Sequence, residues 1–226
     1  MSSSYISKIF KKPHFSSSVF ISFVSLLLST SYGATINVPG DYSTIESAVS
    51  SAASGDVIII APGTYYENGI NINKKLTIAS QYYTTGDENY ISQTVIDGRG
   101  STIFETVNGQ GVNVEITGLK FINAYKPVVI NDLAFIKHNI FSNNGSDSIG
   151  FEAYGYGYAG YNTIENSSDD AIDIDGRRGY YTVEHNILRN NGDDGIEIRL
   201  YSYSGPIIKY TITDNVITGN DEDGIQ

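Results

Sequence analysis

Four stretches near the C-terminus repeat one pattern, and this pattern decides the fold. They are HNIFSNNGSDSIGF (residues 138–151), YNTIENSSDDAIDI (161–174), HNILRNNGDDGIEI (185–198) and DNVITGNDEDGIQ (214–226). Each has an anchor Asn in its second position, an Asp eight residues after the anchor, and an Ile two residues further on. The anchors are 23, 24 and 29 residues apart, whereas the offsets inside each repeat are constant. Variation is therefore confined to the segments between repeats, as expected when insertions fall in loops.

Within each repeat, apolar residues alternate with polar ones over short runs, which is typical of β-strands and not of helices. Units of this length cannot bury a face alone, so they must stack on one another. We therefore predict an all-β fold, a parallel β-helix of about eight coils over residues 34–226, with like residues about 4.8 Å apart. The predicted interior ladders are Ile149/Ile172/Ile196/Ile225 and Phe151/Ile174/Ile198, and the predicted turn ladder is Asn139/Asn162/Asn186/Asn215.

The entry segment differs from the repeats. Residues 43–53 (STIESAVSSAA) carry apolar side chains at helical spacing, with Ser43 as the expected N-cap and Glu46 three residues on. Such a helix would cover the open end of the solenoid, as terminal repeats must. At the other end, the strand begun at Ile225 breaks off at Gln226 without a capping sequence, which predicts a chain that continues further.

The stretch VPGDYSTIESAVSSAASGDVIIIAPGTYYE (residues 38–67), followed by the Asn-anchored coils, resembles the cap and first coils of secreted right-handed parallel β-helix proteins. This pectate-lyase-like group includes pectin-modifying enzymes, polysaccharide lyases and carbohydrate-binding-and-hydrolase domains. The resemblance covers nearly all of the chain after residue 33. It implies a right-handed, single-stranded helix, and leaves the activity open because one fold hosts many chemistries.

Residues 1–33 are predicted to be a secretory signal peptide. Lys8, Lys11 and Lys12 precede a ten-residue apolar stretch (VFISFVSLLL, 19–28) that is too short to span a membrane. We therefore expect a secreted, periplasmic or surface protein without an integral span in its mature chain, and we expect a monomer. Removing the segment changes the net charge from −11 to −14. That acidity disfavours nucleic acid as a partner, and the absence of Cys excludes disulfides and thiol chemistry.

The acidic residues fall into columns when the repeats are aligned. Asp147, Asp170, Asp194 and Asp223 share the position eight residues after the anchor. Asp173 and Glu197 share the eleventh, between two interior isoleucines, and are therefore expected to point into solvent from one sheet. Carboxylates about 4.8 Å apart repel, so the columns need splayed side chains, raised pKa values, an Arg or a cation. Ca²⁺ suits such oxygen ligands, and the predicted ligands are Asp170, Asp173, Asp194 and Glu197. The plainer interpretation is that Asp-Gly marks a solvated turn.

SDDAIDI (168–174) and, one coil later, NGDDGIEI (191–198) resemble the Asn-Thr-Asp and Gly-Asp-Asp motifs of polygalacturonases. The resemblance implies that Asp170, Asp193 and Asp194 are catalytic, as the general acid and the base of an inverting hydrolase. The chain departs from that family in having Ser168 in place of Asn, and in lacking the Gly-His-Gly and Arg-Ile-Lys motifs.

A lyase interpretation uses the same acidic patch differently. β-Elimination on a polyuronate needs a cation that neutralises the uronate and a base for the C5 proton. The acids would hold Ca²⁺, Lys209 would be the base, and Arg199 and Arg177 would bind substrate. The alternative to both enzyme readings is a non-catalytic surface or adhesion solenoid whose acids hold Ca²⁺ for stability alone.

Tyr side chains are concentrated in the variable segments between repeats. Tyr181, Tyr201 and Tyr203 are predicted to contact sugar rings, since Tyr combines an apolar face with a polar tip. The alternative is that these loops pack onto the outside of the coils. His138 and His185 stand two coils apart, too far to share a metal, which favours a role in the turn.

Overall fold

The alternating residues of each repeat form short parallel strands, which stack into three sheets around one core. The structure, a computed structural model, describes residues 33–152, 154–177, 179–199 and 208–226. The predicted signal peptide, apart from Gly33, lies outside the described residues, as do Tyr201 and Tyr203. All strand pairs are parallel, and successive coils contribute one strand to each sheet. The predicted right-handed parallel β-helix is confirmed.

The first sheet has eight strands and carries the longest strands of the fold. Its members are β1 (Thr35–Val38), β2 (Val57–Ile60), β5 (Leu76–Ser80), β8 (Asn113–Thr117), β11 (Leu133–Lys137), β14 (Tyr156–Gly160), β17 (Tyr180–Glu184) and β20 (Lys209–Thr213).

The second sheet has seven strands and follows the first after a short turn that contains the anchor Asn. Its members are β3 (Gly63–Tyr65), β6 (Thr94–Asp97), β9 (Lys120–Ile122), β12 (Ile140–Ser142), β15 (Thr163–Glu165), β18 (Ile187–Arg189) and β21 (Val216–Thr218).

The third sheet has six strands and is connected back to the first by the segments of variable length. Its members are β4 (Ile70–Ile72), β7 (Phe104–Thr106), β10 (Val128–Ile130), β13 (Ile149–Phe151), β16 (Ile172–Ile174) and β19 (Ile196–Ile198). We call the turn between the seven- and six-stranded sheets the acidic turn, because the aspartate column lies there.

The solenoid has about seven turns, one fewer than predicted. The difference comes from the coil between β5 and β8, which contains two short helices, α2 (Tyr82–Thr85) and α3 (Asn89–Gln93). These residues leave the coil, so the same length of chain makes fewer turns. None of the described helices has the length and apolarity that crossing a membrane requires.

Helix α1 (Ile45–Ser51) packs on the first strands through Ile45, Ala48 and Val49, which are buried. It is the predicted capping helix. Its N-cap is Thr44 and not Ser43, because the Thr44 hydroxyl accepts the Ser47 N–H at 3.1 Å. The predicted partner Glu46 is replaced by Glu67, whose carboxylate accepts the first two helical N–H groups, both at 2.9 Å. A residue 21 positions away therefore closes the helix end.

Both predicted interior ladders are present. Ile149, Ile172 and Ile196 are paired in register and fully buried. Ile225 pairs with Ile196 through an isolated bridge but is 49% exposed, so it is in register with the ladder and not interior. Phe151, Ile174 and Ile198 form the second ladder.

The anchor asparagines form a hydrogen-bonded ladder inside the first turn. Asn162 Oδ1 accepts the Asn139 backbone N–H at 3.0 Å. Its Nδ2 donates to the Ile136 carbonyl at 2.9 Å and to Asn186 Oδ1 at 3.0 Å. Asn162 is 1% exposed, so these bonds satisfy backbone groups that water cannot reach. The ladder locks each coil to the next at this corner.

Replacement of Asn162 by Ala is expected to lower the free energy of unfolding by roughly 1–3 kcal/mol, because buried backbone groups lose their partners. Urea titration followed by circular dichroism measures the change. The matched control is Asn108→Ala, which removes an exposed amide in a turn between β7 and β8. Equal effects of the two substitutions would contradict the role given to the ladder.

Candidate functional site

Three of the four aspartates of the column in the acidic turn are buried, whereas Asp223 is exposed. Asp147, Asp170 and Asp194 are 2%, 2% and 1% exposed. Asp170 Oδ1 accepts the Asp194 backbone N–H at 2.9 Å, and Asp194 Oδ1 accepts the Asp223 N–H at 2.7 Å. The solvated-turn interpretation is therefore wrong for these residues. The carboxylates of Asp170 and Asp194 each reach across to the backbone of the next coil.

Among the described residues, seven carboxylates converge around this column, and we call them the acidic cluster. They form three groups in which one oxygen of each residue lies within 4.8 Å of the others. Asp170 belongs to all three groups, which are Asp147/Asp169/Asp170, Asp170/Asp193/Asp194 and Asp170/Asp173/Glu197. The structure thus brings together five of the residues predicted from the sequence: Asp170, Asp173, Asp193, Asp194 and Glu197.

Asp173 and Glu197 are neighbours on the outer face of the six-stranded sheet, as predicted from their position between interior isoleucines. Asp173 is nevertheless only 3% exposed, so the expectation that it points into solvent is wrong. Arg199 lies against it, with Nη2 2.8 Å from Asp173 Oδ2 and 2.8 Å from Glu197 Oε2. Its Nε is 2.9 Å from Asp175 Oδ1. The other Asp173 oxygen, Oδ1, is buried and has no hydrogen-bond partner among the described residues.

A second base, Lys126, lies at the opposite end of the cluster. Its Nζ is 2.7 Å from Asp147 Oδ2 and 3.7 Å from Glu152 Oε1. Lys126 was not among the predicted site residues because it lies outside the four clear repeats. The register of the strands is the signal that could have revealed it. Val128 pairs with Ile149, so Lys126 and Asp147, each two residues before a member of that pair, lie side by side in adjacent coils.

Burial raises the pKa values at the centre of the cluster. Burial is the largest cause for Asp170, and with the charges of Glu197 and Asp147 it raises the Asp170 pKa to about 8, against the lowering effect of the Asp194 N–H. Burial also raises the Asp173 pKa to about 7, although the Arg199 guanidinium opposes the shift. Near neutral pH the cluster therefore retains protons that a cation could displace.

The spacing of the oxygens fits cation binding better than the predicted hydrolase arrangement. Two ligands of one Ca²⁺ each lie about 2.3–2.6 Å from the ion, so they can be up to about 5 Å apart. The carboxyl groups of an inverting glycosidase are about 6.5–9.5 Å apart, which leaves room for the attacking water. Asp170, Asp193 and Asp194 are closer than that. The catalytic role that their motifs imply for these three residues stays a prediction.

The remaining predicted site residues lie away from the cluster. Lys209 begins β20 on the eight-stranded sheet, so the structure does not place it beside the acids as a base. Arg177 is exposed in the variable segment between β16 and β17.

The prediction that Tyr181 contacts substrate is wrong. Tyr181 is 1% exposed, stacks on Tyr210 at 5.1 Å between ring centroids, and donates its hydroxyl to the Gly155 carbonyl. A Cβ at Gly176 would lie 2.3 Å from its hydroxyl oxygen, so that glycine makes room for the inward-pointing ring.

Parallel strands in three sheets, an amide ladder in one turn and a carboxylate ladder in another define a parallel β-helix. The chain belongs to the right-handed β-helix family, whose model, described as "Right handed beta helix region", matches residues 83–226. No curated protein matches the chain.

A solved structure of a PL6 family alginate lyase is similar in fold, with 21% identity and a TM-score of 0.43. The similarity covers 84% of this chain and 30% of the lyase chain, so this chain spans less than a third of that protein.

Proposed function

We propose that this β-helix holds a divalent cation, Ca²⁺ by preference, at Asp170, Asp173 and Glu197, and that it binds and processes an acidic polysaccharide there. The observation that carries the proposal is Asp173, which belongs to a group of three carboxylates with one oxygen of each within 4.8 Å of the others, and whose buried Oδ1 has no hydrogen-bond partner among the described residues. An unpaired buried carboxylate oxygen is costly, and a cation would satisfy it.

An acidic polysaccharide fits this site because a cation can ligate protein and uronate carboxylates together. Glu197 is partly exposed, and the Arg199 side chain is 46% exposed, so both can face a ligand lying along the six-stranded sheet. In an elimination the cation would neutralise the uronate next to the C5 proton. Export, as predicted from residues 1–33, would bring the site into Ca²⁺-rich surroundings, where modules with weak affinity suffice.

The test is incubation of the full-length protein with polygalacturonate and with alginate, with Ca²⁺ or with a chelator. Ultraviolet absorbance follows the unsaturated product of elimination, and a reducing-end assay follows hydrolysis. We expect Ca²⁺-dependent product with at least one polymer, and a loss of roughly a hundredfold in Asp173→Asn, because ion and substrate lose a shared ligand.

The matched control is Glu105→Gln, which alters an exposed carboxylate in the same outer column of the six-stranded sheet, away from the cluster. It should leave turnover unchanged. Absence of both signals with the wild-type protein would rule out processing of these two polymers.

A non-catalytic solenoid with a structural cation is the second candidate. It is favoured by the backbone bonds of Asp170 and Asp194, which tie the carboxylates to the stacking of the coils. In that case Asp173→Asn lowers the melting temperature, a chelator lowers that of the wild type, and no product forms with either protein.

A further inference from the structure

Three adjoining depressions lie on the outer face of the eight-stranded sheet, on the other side of the seven-stranded sheet from the acidic turn. Their volumes are about 300, 250 and 370 Å³, and all three are lined by Lys137. We call this continuous surface the Lys137 groove. Its main lining residues are Tyr82, Glu115, Phe135, Lys137, His138 and Tyr158.

Two aromatic side chains form the floor of the groove. Phe135 and Tyr158 are paired across β11 and β14, and Phe135 is 39% exposed. A Cβ at Gly160 would lie 2.2–2.5 Å from three atoms of the Tyr158 side chain, its hydroxyl oxygen and two ring carbons. The Tyr158 ring therefore lies over Gly160, in space that any other residue would fill. The hydroxyl at the end of this ring donates to Glu184 Oε1 at 3.1 Å.

An aromatic stack forms one wall of the groove. His138, Tyr161 and His185 stack in succession along the first turn, with ring centroids 4.9 and 4.8 Å apart. Tyr82, from α2, contacts His138 at 5.3 Å with its ring tilted by 45°. His138, Tyr161 and His185 have left-handed backbone conformations, so the stack stabilises strained turn positions. Tyr161 uses both faces of its ring within the stack.

The charges of the groove are balanced, because Lys75 and Lys137 line it together with Glu115, and Glu184 accepts the Tyr158 hydroxyl at its edge. Lys137 Nζ is 3.0 Å from Glu115 Oε1, and the two side chains are 38% and 26% exposed. Burial, together with the Lys137 charge, lowers the pKa of His138, which favours its neutral form. A paired ammonium and carboxylate keep spare donors and acceptors that suit vicinal hydroxyl groups. The groove thus lacks the excess of positive charge that a polyuronate would need.

We propose that the Lys137 groove is a second carbohydrate site, which binds a neutral pyranose chain by stacking on Phe135 and Tyr158 and by hydroxyl contacts to Lys137 and Glu115. It is separate from the acidic cluster and needs no cation. It would let the protein engage an uncharged region of a glycan, or an uncharged glycan beside the acidic one.

The test is isothermal titration of the full-length protein, in the presence of a chelator, with cellohexaose, mannohexaose and laminarihexaose. A galacturonate hexamer is the acidic comparison. We expect at least one neutral oligosaccharide to bind, and Phe135→Ala to weaken its binding at least tenfold. Gly160→Ala is expected to weaken it similarly by displacing the Tyr158 ring, and the φ of Gly160 is not in the left-handed region, so Ala is compatible with the backbone.

The matched control is Tyr125→Ala, which removes another exposed aromatic residue, 52% exposed, between the seven- and six-stranded sheets. It should leave binding of the neutral oligosaccharide unchanged. Asp173→Asn, which alters the proposed cation site, should leave this binding unchanged as well. The groove proposal and the proposed function can therefore fail independently of each other. Melting temperatures verify that each variant is folded. The proposal is overturned if no neutral oligosaccharide binds, if only the galacturonate hexamer binds, or if wild type is a dimer that Phe135→Ala converts to monomer.

Discussion

With a chelator present, raising the pH from about 5 to about 8 is expected to lower the melting temperature of the protein, and Ca²⁺ is expected to restore it. The folded-state pKa values of Asp170 and Asp173 are raised to about 8 and about 7, from an ordinary value of 3.8. Between the ordinary pKa of 3.8 and these raised values, the two carboxyls are protonated in the folded protein and ionised in the unfolded chain. Stability therefore falls as pH rises, by up to about 1.4 kcal/mol per pH unit for each proton.

Ca²⁺ acts in the opposite direction at the upper end of this range. The ion replaces the protons, so its affinity rises with pH. At a free concentration of about one hundred times Kd it contributes about 2.7 kcal/mol, and each kcal/mol corresponds to about 2–4 °C in a chain of this size. Scanning fluorimetry with and without Ca²⁺ at a series of pH values measures both effects.

Asp170→Asn tests whether this carboxyl is responsible. The Asn Oδ1 can still accept the Asp194 N–H, but the side chain neither titrates nor binds Ca²⁺ as a carboxylate. We expect a flatter pH dependence and no Ca²⁺ response, whereas Glu105→Gln should behave as wild type. A full Ca²⁺ response in Asp170→Asn would place the ion elsewhere.

Arg199→Gln is expected to lower the free energy of unfolding by about 3 kcal/mol at pH 8. Arg199 contacts the carboxylates of Asp173, Asp175 and Glu197, and the Asp173 side chain is only 4% exposed. Its removal leaves a buried carboxylate without its counter-charge. The loss should shrink below about pH 6, where Asp173 takes up a proton.

The same substitution should tighten Ca²⁺ binding, by about tenfold, because Arg199 neutralises the carboxylates that the ion needs. Arg189→Gln is the matched control. Its side chain is 49% exposed and pairs with Glu165, whose side chain is 26% exposed. We therefore expect this substitution to lower the free energy of unfolding by less than about 1 kcal/mol and to leave the Ca²⁺ affinity unchanged. Urea titration and calorimetry measure the two quantities. Unchanged or weaker Ca²⁺ binding in Arg199→Gln would contradict the proposed competition.

The ladders of the fold could be predicted because a stacked repeat converts a sequence offset directly into a spatial column. Asn139, Asn162 and Asn186 are aligned in the sequence and hydrogen-bonded in the structure. The same logic brought Asp170 and Asp194 together. Alignment of the repeats, however, predicts which residues are neighbours and does not predict how deeply they are buried.

Burial depends on side chains that come from outside the aligned columns. Arg199 covers Asp173, and Lys126 closes the other end of the cluster from a coil whose sequence is degenerate. Tyr181 turns inward because Gly176 leaves space for its ring, a contact that alternation alone does not reveal. The Lys137 groove was missed because Phe135 and Lys137 precede the first clear repeat by a few residues and lie on the longest sheet.

The corner between the six- and eight-stranded sheets has a consequence for how such proteins diversify. Two corners of the coil are held by side-chain ladders, whereas the third absorbs intervals of 23, 24 and 29 residues without a change of register. Segments can be lengthened or exchanged at that corner while the strands stay aligned. A lineage could therefore acquire new surface loops beside the six-stranded sheet in single steps, and an engineer could graft peptides there, with the carboxylates of the neighbouring turn kept at their spacing.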